Sequence, residues 1–199
     1  MANPEFANED LFTGKGESEQ QHILIQAARQ LFQERGYGKV KLSDIARGAG
    51  LTLKETQLYF TSPQEICTEV IKSHRQSQHA LFEGINQNTN PRQRLSLYLD
   101  SLIENTDILI TRGCPITNLY FDVKREDHNL ASEAAELLKQ RLEWIRAQFV
   151  EIMRVENNTD LPERLTGAIH GIAILAQVTG NPDLIRNQVN QLKSWIRSM

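Results

Sequence analysis

Lys54 and Gln57 carry side chains that can read the edges of DNA bases in the major groove. A lysine ammonium can contact guanine, and a glutamine amide can pair with adenine through two hydrogen bonds. Other polar side chains nearby can bind phosphates, which position a protein on DNA without specifying a sequence. The predicted phosphate contacts are Lys41, Ser43, Thr52 and Tyr59. For each of these side chains the simpler alternative is an ordinary solvated surface residue.

A helix-turn-helix at residues 42–60 would position these side chains. The first helix is predicted to end at Ala49, where a small side chain lets the next helix approach closely. Gly50 supplies the turn, because glycine adopts a positive φ at the least cost. Thr52 is predicted to cap a second helix over residues 53–60, whose exposed face would enter the major groove.

Apolar residues recur at helical spacing along the rest of the chain, and this periodicity predicts an all-α protein. Ser62, Pro63 and Glu65 form a strong start for a fourth helix, as N-cap, first helical residue and capping-box acid. Ser18 with Gln21 fits a capping box for the first helix. Helices are predicted at about 18–36, 42–49, 53–60, 63–84, 91–110, 116–123, 130–155 and 161–179, with a last helix that contains residues 185–196.

The charge of the chain gives DNA binding little support. The formal net charge is −3 over 199 residues, and residues 18–65 carry six Lys or Arg against five Asp or Glu, a net of +1. So weak a basic patch counts mildly against tight nonspecific binding, which depends on the neutralisation of phosphates. Residues 1–17 show no period and are predicted to form a disordered arm.

Several other classes of protein lack support in the sequence. Cys67 and Cys114 are far apart and form no disulfide framework, so we expect a reducing compartment. No zinc-site spacing, phosphate loop, dinucleotide fingerprint or nucleophile elbow is present. No apolar run reaches the roughly 18 residues of a membrane span, and no signal peptide is visible. We therefore expect a cytoplasmic protein that is not an enzyme and has no metal, cofactor or membrane partner.

Short segments between Gly36 and Ile66 occur together at a fixed spacing that is typical of one protein family. They are Gly36-Tyr37, Leu42-Ser43-Asp44-Ile45-Ala46, Ala49-Gly50-Leu51-Thr52, Leu58-Tyr59-Phe60, and Ser62 with Glu65-Ile66. From its first helix to the start of the fourth, the chain resembles the TetR (tetracycline-repressor-like) family of transcriptional regulators. The resemblance implies a helix-turn-helix DNA-binding domain of three helices at residues 18–62. It also implies a larger helical ligand-binding and dimerisation domain at residues 63–199.

Several positions depart from the family pattern. Lys54 stands where a small residue is common, Thr56 where leucine is usual, and Gln57 where an aromatic residue is usual. Pro63 replaces a lysine that would hold a phosphate. Glu55 would repel phosphates unless it accepts a hydrogen bond from a cytosine amino group. The operator sequence therefore cannot be taken over from relatives.

The resemblance further implies an effector pocket in the larger domain. Residues 113–119 are similar to a Gly-Cys-Pro/Leu-x-x-Asn-Leu element that lies beside the pocket in some family members. Cys114 could contact a ligand or sense an electrophile there, and the alternative is a small buried hydrophobe. The other candidate lining residues are Tyr98, Leu102, Phe121, Trp144, Phe149 and His170, each of which could instead be ordinary core.

The last two helices are predicted to form a homodimer interface, as the resemblance implies. Gly167 and Gly171 lie one turn apart and permit close approach of helices. The last helix carries an apolar stripe of Ile185, Val189, Leu192 and Ile196. Two helices from each subunit would form a four-helix interface, and intrachain packing is the alternative.

The expected function is that of a dimeric transcriptional repressor that binds a double-stranded DNA operator and is released by a small-molecule effector. The effector would favour a separation of the two recognition helices that does not fit the operator. Two alternatives stay open. One is a sensor of the same fold that detects redox state or electrophiles through Cys114 and binds DNA weakly. The other is an all-helical enzyme that uses Cys114.

Overall fold

The computed structural model describes residues 19–154 and 160–199. All regular secondary structure in these ranges is helical, and the predicted all-α class is confirmed. The helices are α1 (Glu19–Arg35), a 3-10 helix (Tyr37–Lys39), α2 (Leu42–Gly48), α3 (Leu53–Thr56), α4 (Pro63–Asn86), α5 (Pro91–Glu104), α6 (Thr106–Arg112), α7 (Pro115–Glu126), α8 (His128–Met153), α9 (Asp160–Thr179) and α10 (Pro182–Arg197). Among these helices, none has the length and apolar character needed to cross a membrane. The predicted N-terminal arm and the Ser18 cap lie outside the described residues.

The described residues form two compact units. The helix-turn-helix unit comprises the residues up to Ser77 together with Pro115–Leu137. The C-terminal unit comprises Gln78–Cys114 and the described residues from Leu138 onward. The chain passes from one unit to the other within α4, between α6 and α7, and within α8. The domain boundary expected after residue 62 remains a prediction.

An apolar core where the first helices meet holds the helix-turn-helix unit together. α1 packs against α2 and the 3-10 helix, and α2 packs against α3. Leu24, Ala28 and Ile45 are fully buried in this core. The rings of Phe32 and Tyr37 meet edge to face with their centroids 5.4 Å apart. These contacts form the scaffold that carries α3.

The start of α4 confirms the predicted cap. Glu65 N–H donates to Ser62 Oγ at 3.3 Å, and Pro63 is the first helical residue. The Glu65 carboxylate accepts hydrogen bonds from the hydroxyl and the N–H of Thr61, at 2.6 and 2.7 Å, and these bonds lower its pKa. The acid thus bonds the residue before the cap rather than the cap itself.

The C-terminal unit is built around α5, α9 and α10. α10 packs against α5, and α9 packs against α6 and α10. Leu95 and Leu99 of α5 and Ile185 of α10 are fully buried. Lys193 Nζ on α10 and the Asp100 carboxylate on α5 form an ion pair at 2.6 Å. Apolar burial and this ion pair together hold α10 on α5.

The single helix predicted over residues 91–110 is wrong, because the chain forms α5 and α6 with a break at Asn105. The Asn105 backbone leaves the helical region, with φ −107° and ψ 21°. Its buried side-chain amide donates to Ser101 O at 2.6 Å. That carbonyl would otherwise accept the backbone N–H of Asn105 in a continuous helix. The side chain therefore replaces a helical hydrogen bond and ends α5.

Candidate nucleic-acid interface

The turn of the helix-turn-helix is built around Gly50. Its φ is 70°, in the left-handed region that glycine adopts without steric cost. Leu51 N–H donates to Ala46 O at 2.9 Å and Gly50 N–H to Arg47 O at 3.2 Å, the bonding pattern of a Schellman motif. The predicted glycine turn is confirmed, and it directs the chain from α2 into α3.

Thr52 and Glu55 cap α3 reciprocally. Glu55 N–H donates to Thr52 Oγ1 at 3.2 Å, which confirms the predicted N-cap. The Glu55 carboxylate in turn accepts the Thr52 hydroxyl at 2.6 Å and the Thr52 N–H at 2.7 Å. These bonds lower the pKa of Glu55, with the side-chain bond as the larger cause. The carboxylate in the first turn of α3 therefore serves as a cap.

α3 is shorter than predicted. The helix ends at Thr56, and the expected extension to residue 60 is wrong. Beyond it the hydrogen bonds tighten, since Leu58 N–H donates to Glu55 O at 3.1 Å and Tyr59 N–H to Thr56 O at 3.0 Å. Such three-residue bonds are common where a helix ends. We call residues 53–60, which comprise α3 and this turn, the recognition segment.

The predicted DNA contacts lie at two places on the helix-turn-helix unit. Lys54 and Gln57 are exposed on the recognition segment, and Thr52 is exposed at its cap. Tyr59 is half-buried, and its hydroxyl donates to Gln20 Oε1 on α1. Lys41 and Ser43 are exposed at the start of α2. Their roles on DNA remain predictions.

A cleft of about 450 Å³ opens beside Tyr59, between α1 and α4. Its lining includes Gln21 and the carboxyl-bearing side chains of Glu65 and Glu69. Two carboxylates would repel phosphates. None of the predicted effector-binding residues lines this cleft. It is therefore neither a phosphate site nor the predicted effector pocket.

Three aromatic rings form a cluster in the C-terminal unit. Phe82 and Trp144 are stacked with centroids 4.4 Å apart, and the Tyr98 ring meets them at 5.9 and 5.5 Å. Trp144 Nε1 donates to Asn86 Oδ1 at 3.1 Å. Tyr98 and Trp144 were predicted from the sequence as lining residues, and Phe82 was not. Tyr98 is buried, so the cluster packs into the interior of the C-terminal unit.

The remaining predicted lining residues are dispersed. Leu102 and Phe149 are buried in the core of the C-terminal unit, and the Phe149 ring lies 6.0 Å from that of Trp195. Phe121 is 53% exposed and belongs to the helix-turn-helix unit, so the structure does not place it in the aromatic cluster. A side chain this exposed lines no enclosed pocket within its unit.

A buried polar cluster surrounds Arg141 on α8. Its Nη2 and Nε donate to Gln78 Oε1 at 3.1 and 3.3 Å, and its Nη1 lies 3.9 Å from Cys114 Sγ. Burial and, second, the charge of Arg141 lower the pKa of His170. The structure therefore brings Cys114 and His170 together around a cation that sequence analysis missed. The spacing could have indicated that Arg141 is buried, because it lies four residues from both Leu137 and Ile145 on the buried face of α8.

Cys67 and Cys114 are both free thiols and form no disulfide with each other. Cys67 is fully buried, and burial, followed by the nearby charges of Asp127 and Glu133, raises its pKa to about 12. Cys114 is buried as well, as a small hydrophobe would be. The residues described hold no group of three or more His, Cys, Asp or Glu side chains that could bind a metal ion.

Residues 24–66, from α1 to the start of α4, match the family model of bacterial regulatory proteins of the tetR family. Residues 24–66 therefore carry the helix-turn-helix of the TetR family. An uncharacterised helix-turn-helix transcriptional regulator of Bacillus subtilis, YdgC, is 26% identical over 121 residues. That alignment covers 60% of this chain and 62% of YdgC, which is less than two thirds of that relative.

Solved structures of TetR-family proteins share the fold of this chain. A regulator from Agrobacterium tumefaciens matches with a TM-score of 0.78 and 16% identity, over 88% of this chain and 96% of that one. SCO4454 from Streptomyces coelicolor matches with a TM-score of 0.77 and 13% identity, over 91% of this chain and 90% of that one. Both of these proteins are TetR-family transcriptional regulators.

The apolar stripe predicted for the dimer interface is turned inward. Ile185, Val189 and Ile196 are buried within the C-terminal unit. An amphipathic pattern predicts that one face of a helix is covered, but it does not identify the partner. Here α5 of the same chain covers the apolar face of α10. An exposed apolar stripe lies instead on α9, where it is formed by Ile174, Leu175 and Val178.

Proposed function

We propose that this TetR-family chain is a transcriptional repressor that binds duplex DNA as a dimer and releases it when a small molecule binds the C-terminal unit. The recognition segment carries the proposal. It lies inside the matched residues 24–66, its N-terminal carboxylate is occupied as a cap, and Lys54 and Gln57 are exposed. A short capped helix after a glycine turn suits the second helix of a helix-turn-helix.

The exposed polar residues have distinct proposed roles on DNA. Lys54 contacts guanine and Gln57 contacts adenine, and these two contacts specify sequence. Lys41, Ser43 and Tyr59 bind phosphates and fix the register of the protein on the duplex. Thr52 bonds a phosphate as well if its hydroxyl turns away from the Glu55 carboxylate that now accepts it.

Binding of the full chain to a library of random duplexes tests DNA recognition. We expect repeated rounds of selection to enrich one sequence. A gel shift on that sequence should weaken steeply with added salt, since each neutralised phosphate releases counterions. The DNA upstream of the protein's own gene provides a natural second probe. No enrichment, together with no shift at low salt, would contradict the proposal.

The effector is proposed to bind beside the aromatic cluster of Phe82, Tyr98 and Trp144. The nearby polar groups of the same unit, Arg141 and His170, would orient a polar group of the ligand. Screening of small aromatic compounds should find some that raise the Tm, because they bind the folded protein. The same compounds should dissociate the DNA complex, because a ligand that binds one conformation more tightly shifts the population towards that conformation. Trp144→Leu should abolish both responses, and dissociation of the complex that persists in this variant would contradict the placement.

The α9 stripe is proposed to form the dimer interface. Gly167 and Gly171 lie on the same helix, and a Cβ added to either would meet no atom within 4 Å in the described chain, which leaves room for a second copy. Sedimentation should give the mass of a dimer for the wild type and of a monomer for Val178→Glu. Gln188→Glu, an exposed change on α10, is the matched control and should remain dimeric. A wild-type monomer would contradict this interface.

A further inference from the structure

Leu58 is a large apolar side chain that is exposed in the middle of the recognition segment. It is 79% exposed, and Leu53, the first residue of α3, is 42% exposed. The polar side chains of Lys54 and Gln57 are exposed on the same segment. The surface that would meet DNA therefore combines apolar and hydrogen-bonding side chains.

The residues on either side fix the outward position of Leu58. Thr56 and Phe60, two residues before and two after, are both buried. Backbone hydrogen bonds hold the turn between them, from Leu58 N–H to Glu55 O at 3.1 Å and from Phe60 N–H to Thr56 O at 2.9 Å. Leu58 is thus presented to solvent on a hydrogen-bonded backbone with an anchor on each side.

Duplex DNA offers a matching apolar group in the major groove, the C5 methyl of thymine. Leu58 comes four residues after Lys54, about one helical turn along the segment, and both side chains are exposed, so we expect Leu58 to approach the groove beside Lys54. We propose that Leu58 reads a thymine methyl. Each half-site of the operator then carries a thymine beside the base pairs that Lys54 and Gln57 contact. This inference rests on the proposed DNA-binding function.

DNA suits this surface better than a protein partner does. The core of a protein interface is a contiguous apolar patch. The α9 stripe is of that kind, with Ile174, Leu175 and Val178 side by side. Leu58 instead stands next to an exposed amide, that of Gln57. An apolar group beside hydrogen-bonding groups is also what base edges present in the major groove.

Replacement of thymine by uracil removes the methyl and keeps the base pairing. The duplex selected by the wild-type protein would be made with uracil at one thymine at a time, and its Kd measured. We expect about fourfold weaker wild-type binding at the thymine that Leu58 contacts, which is the effect of one buried methyl group. Leu58→Ala should bind the thymine and uracil duplexes equally. Leu97→Ala, a matched leucine that is 37% exposed in the C-terminal unit, should keep the wild-type preference.

Equal wild-type binding of all thymine and uracil duplexes would overturn the inference, and so would an unchanged preference in Leu58→Ala. The wild-type series needs no substitution, so it decides the question even if a variant fails to fold. A wild-type protein that selects no DNA would contradict the proposed function as well. A protein that selects DNA but ignores the methyl groups would contradict this inference alone.

Discussion

The helix-turn-helix unit and the C-terminal unit position their candidate functional residues in different ways. The recognition segment is fixed by hydrogen bonds between close neighbours, such as those between Thr52 and Glu55, and its functional side chains are exposed. The buried cluster joins residues far apart in the chain, since Arg141 bonds Gln78 across 63 positions. In the recognition segment, the candidate functional side chains are not the groups that stabilise the fold. In the buried cluster, the same side chains serve both purposes.

This difference has a consequence for substitution. An exposed residue on a locally closed turn can change with little effect on the free energy of unfolding. A buried residue in the C-terminal unit contributes packing whatever else it does, and its loss leaves a cavity. The DNA target can therefore vary among chains of this fold more readily than the interior of the C-terminal unit.

The largest expected effect is that of Phe149→Ala in the C-terminal unit. Phe149 is fully buried, and truncation of such a ring costs about 3–5 kcal/mol. Gln57→Ala, on the exposed recognition segment, should change the free energy of unfolding by less than about 0.5 kcal/mol. Urea denaturation of both variants measures the contrast. Equal changes in the free energy of unfolding would contradict the contrast drawn between the two units.

Gly50→Ala should destabilise the helix-turn-helix unit through the backbone alone. An added Cβ would meet no atom within 4 Å, so the cost is that of a positive φ, about 1–2 kcal/mol. Gly84→Ala is the matched control, because it lies within α4 without a positive φ and its Cβ would also meet no atom. That change should instead stabilise, by about 0.5–1 kcal/mol. Thermal unfolding of both variants would show the opposite signs, and the same sign for both would contradict this account.

Thr52→Ala should remove the cap of α3 at a cost of about 1 kcal/mol. Its loss should also raise the pKa of Glu55 part of the way towards the ordinary value, because the hydroxyl bond, the larger cause of the shift, is removed while the backbone N–H of residue 52 still donates. Thr52→Ser keeps the hydroxyl and should preserve stability and pKa. NMR titration of Glu55 follows the pKa. Should the serine variant lose as much stability as the alanine variant, the cap would not be the cause.

The smallest expected effect is the pH dependence due to His170. Its pKa lies below the ordinary 6.5, so the folded state favours the neutral ring and unfolding takes up a proton in acid. The corresponding stability is present above pH 6.5 and is lost as the pH falls through the lower folded pKa. His170→Gln should flatten this dependence. Urea midpoints between pH 7.5 and 5 give the comparison, and an unflattened profile in His170→Gln would assign the dependence to another group.

Short-range features of the fold followed from the sequence. The glycine turn at Gly50 and the caps at Thr52 and Ser62 depend on residue type and on neighbours within three or four positions, and they are confirmed. The break at Asn105 was missed, because an asparagine within an apolar period can also continue a helix facing solvent. Its amide turns inward onto Ser101 O, and burial decides that choice.

Features that depend on packing partners could not be predicted in the same way. The stripe that contains Ile185 and Val189 showed that one face of α10 is covered, but its partner is α5 of the same chain. Arg141 was missed because charge usually marks a solvated face, and burial of a guanidinium requires partners such as Gln78 that lie distant in sequence. The sequence placed Leu58 only within a family motif and predicted no exposure for it, because its exposure depends on the burial of Thr56 and Phe60 on either side.

The central claim is that the exposed face of the recognition segment reads DNA. The most direct test is the base preference of Lys54→Ala, measured on variants of the selected duplex. Gel shifts would compare it with the wild type and with Lys139→Ala, an exposed lysine of the C-terminal unit, on duplexes that carry each base in turn. We predict weaker binding by Lys54→Ala, with about 1–3 kcal/mol of discrimination lost at one guanine and unchanged preference elsewhere. Lys139→Ala should match the wild type. A folded Lys54→Ala protein with unchanged affinity and unchanged preference at every position would contradict the assignment of this surface to DNA.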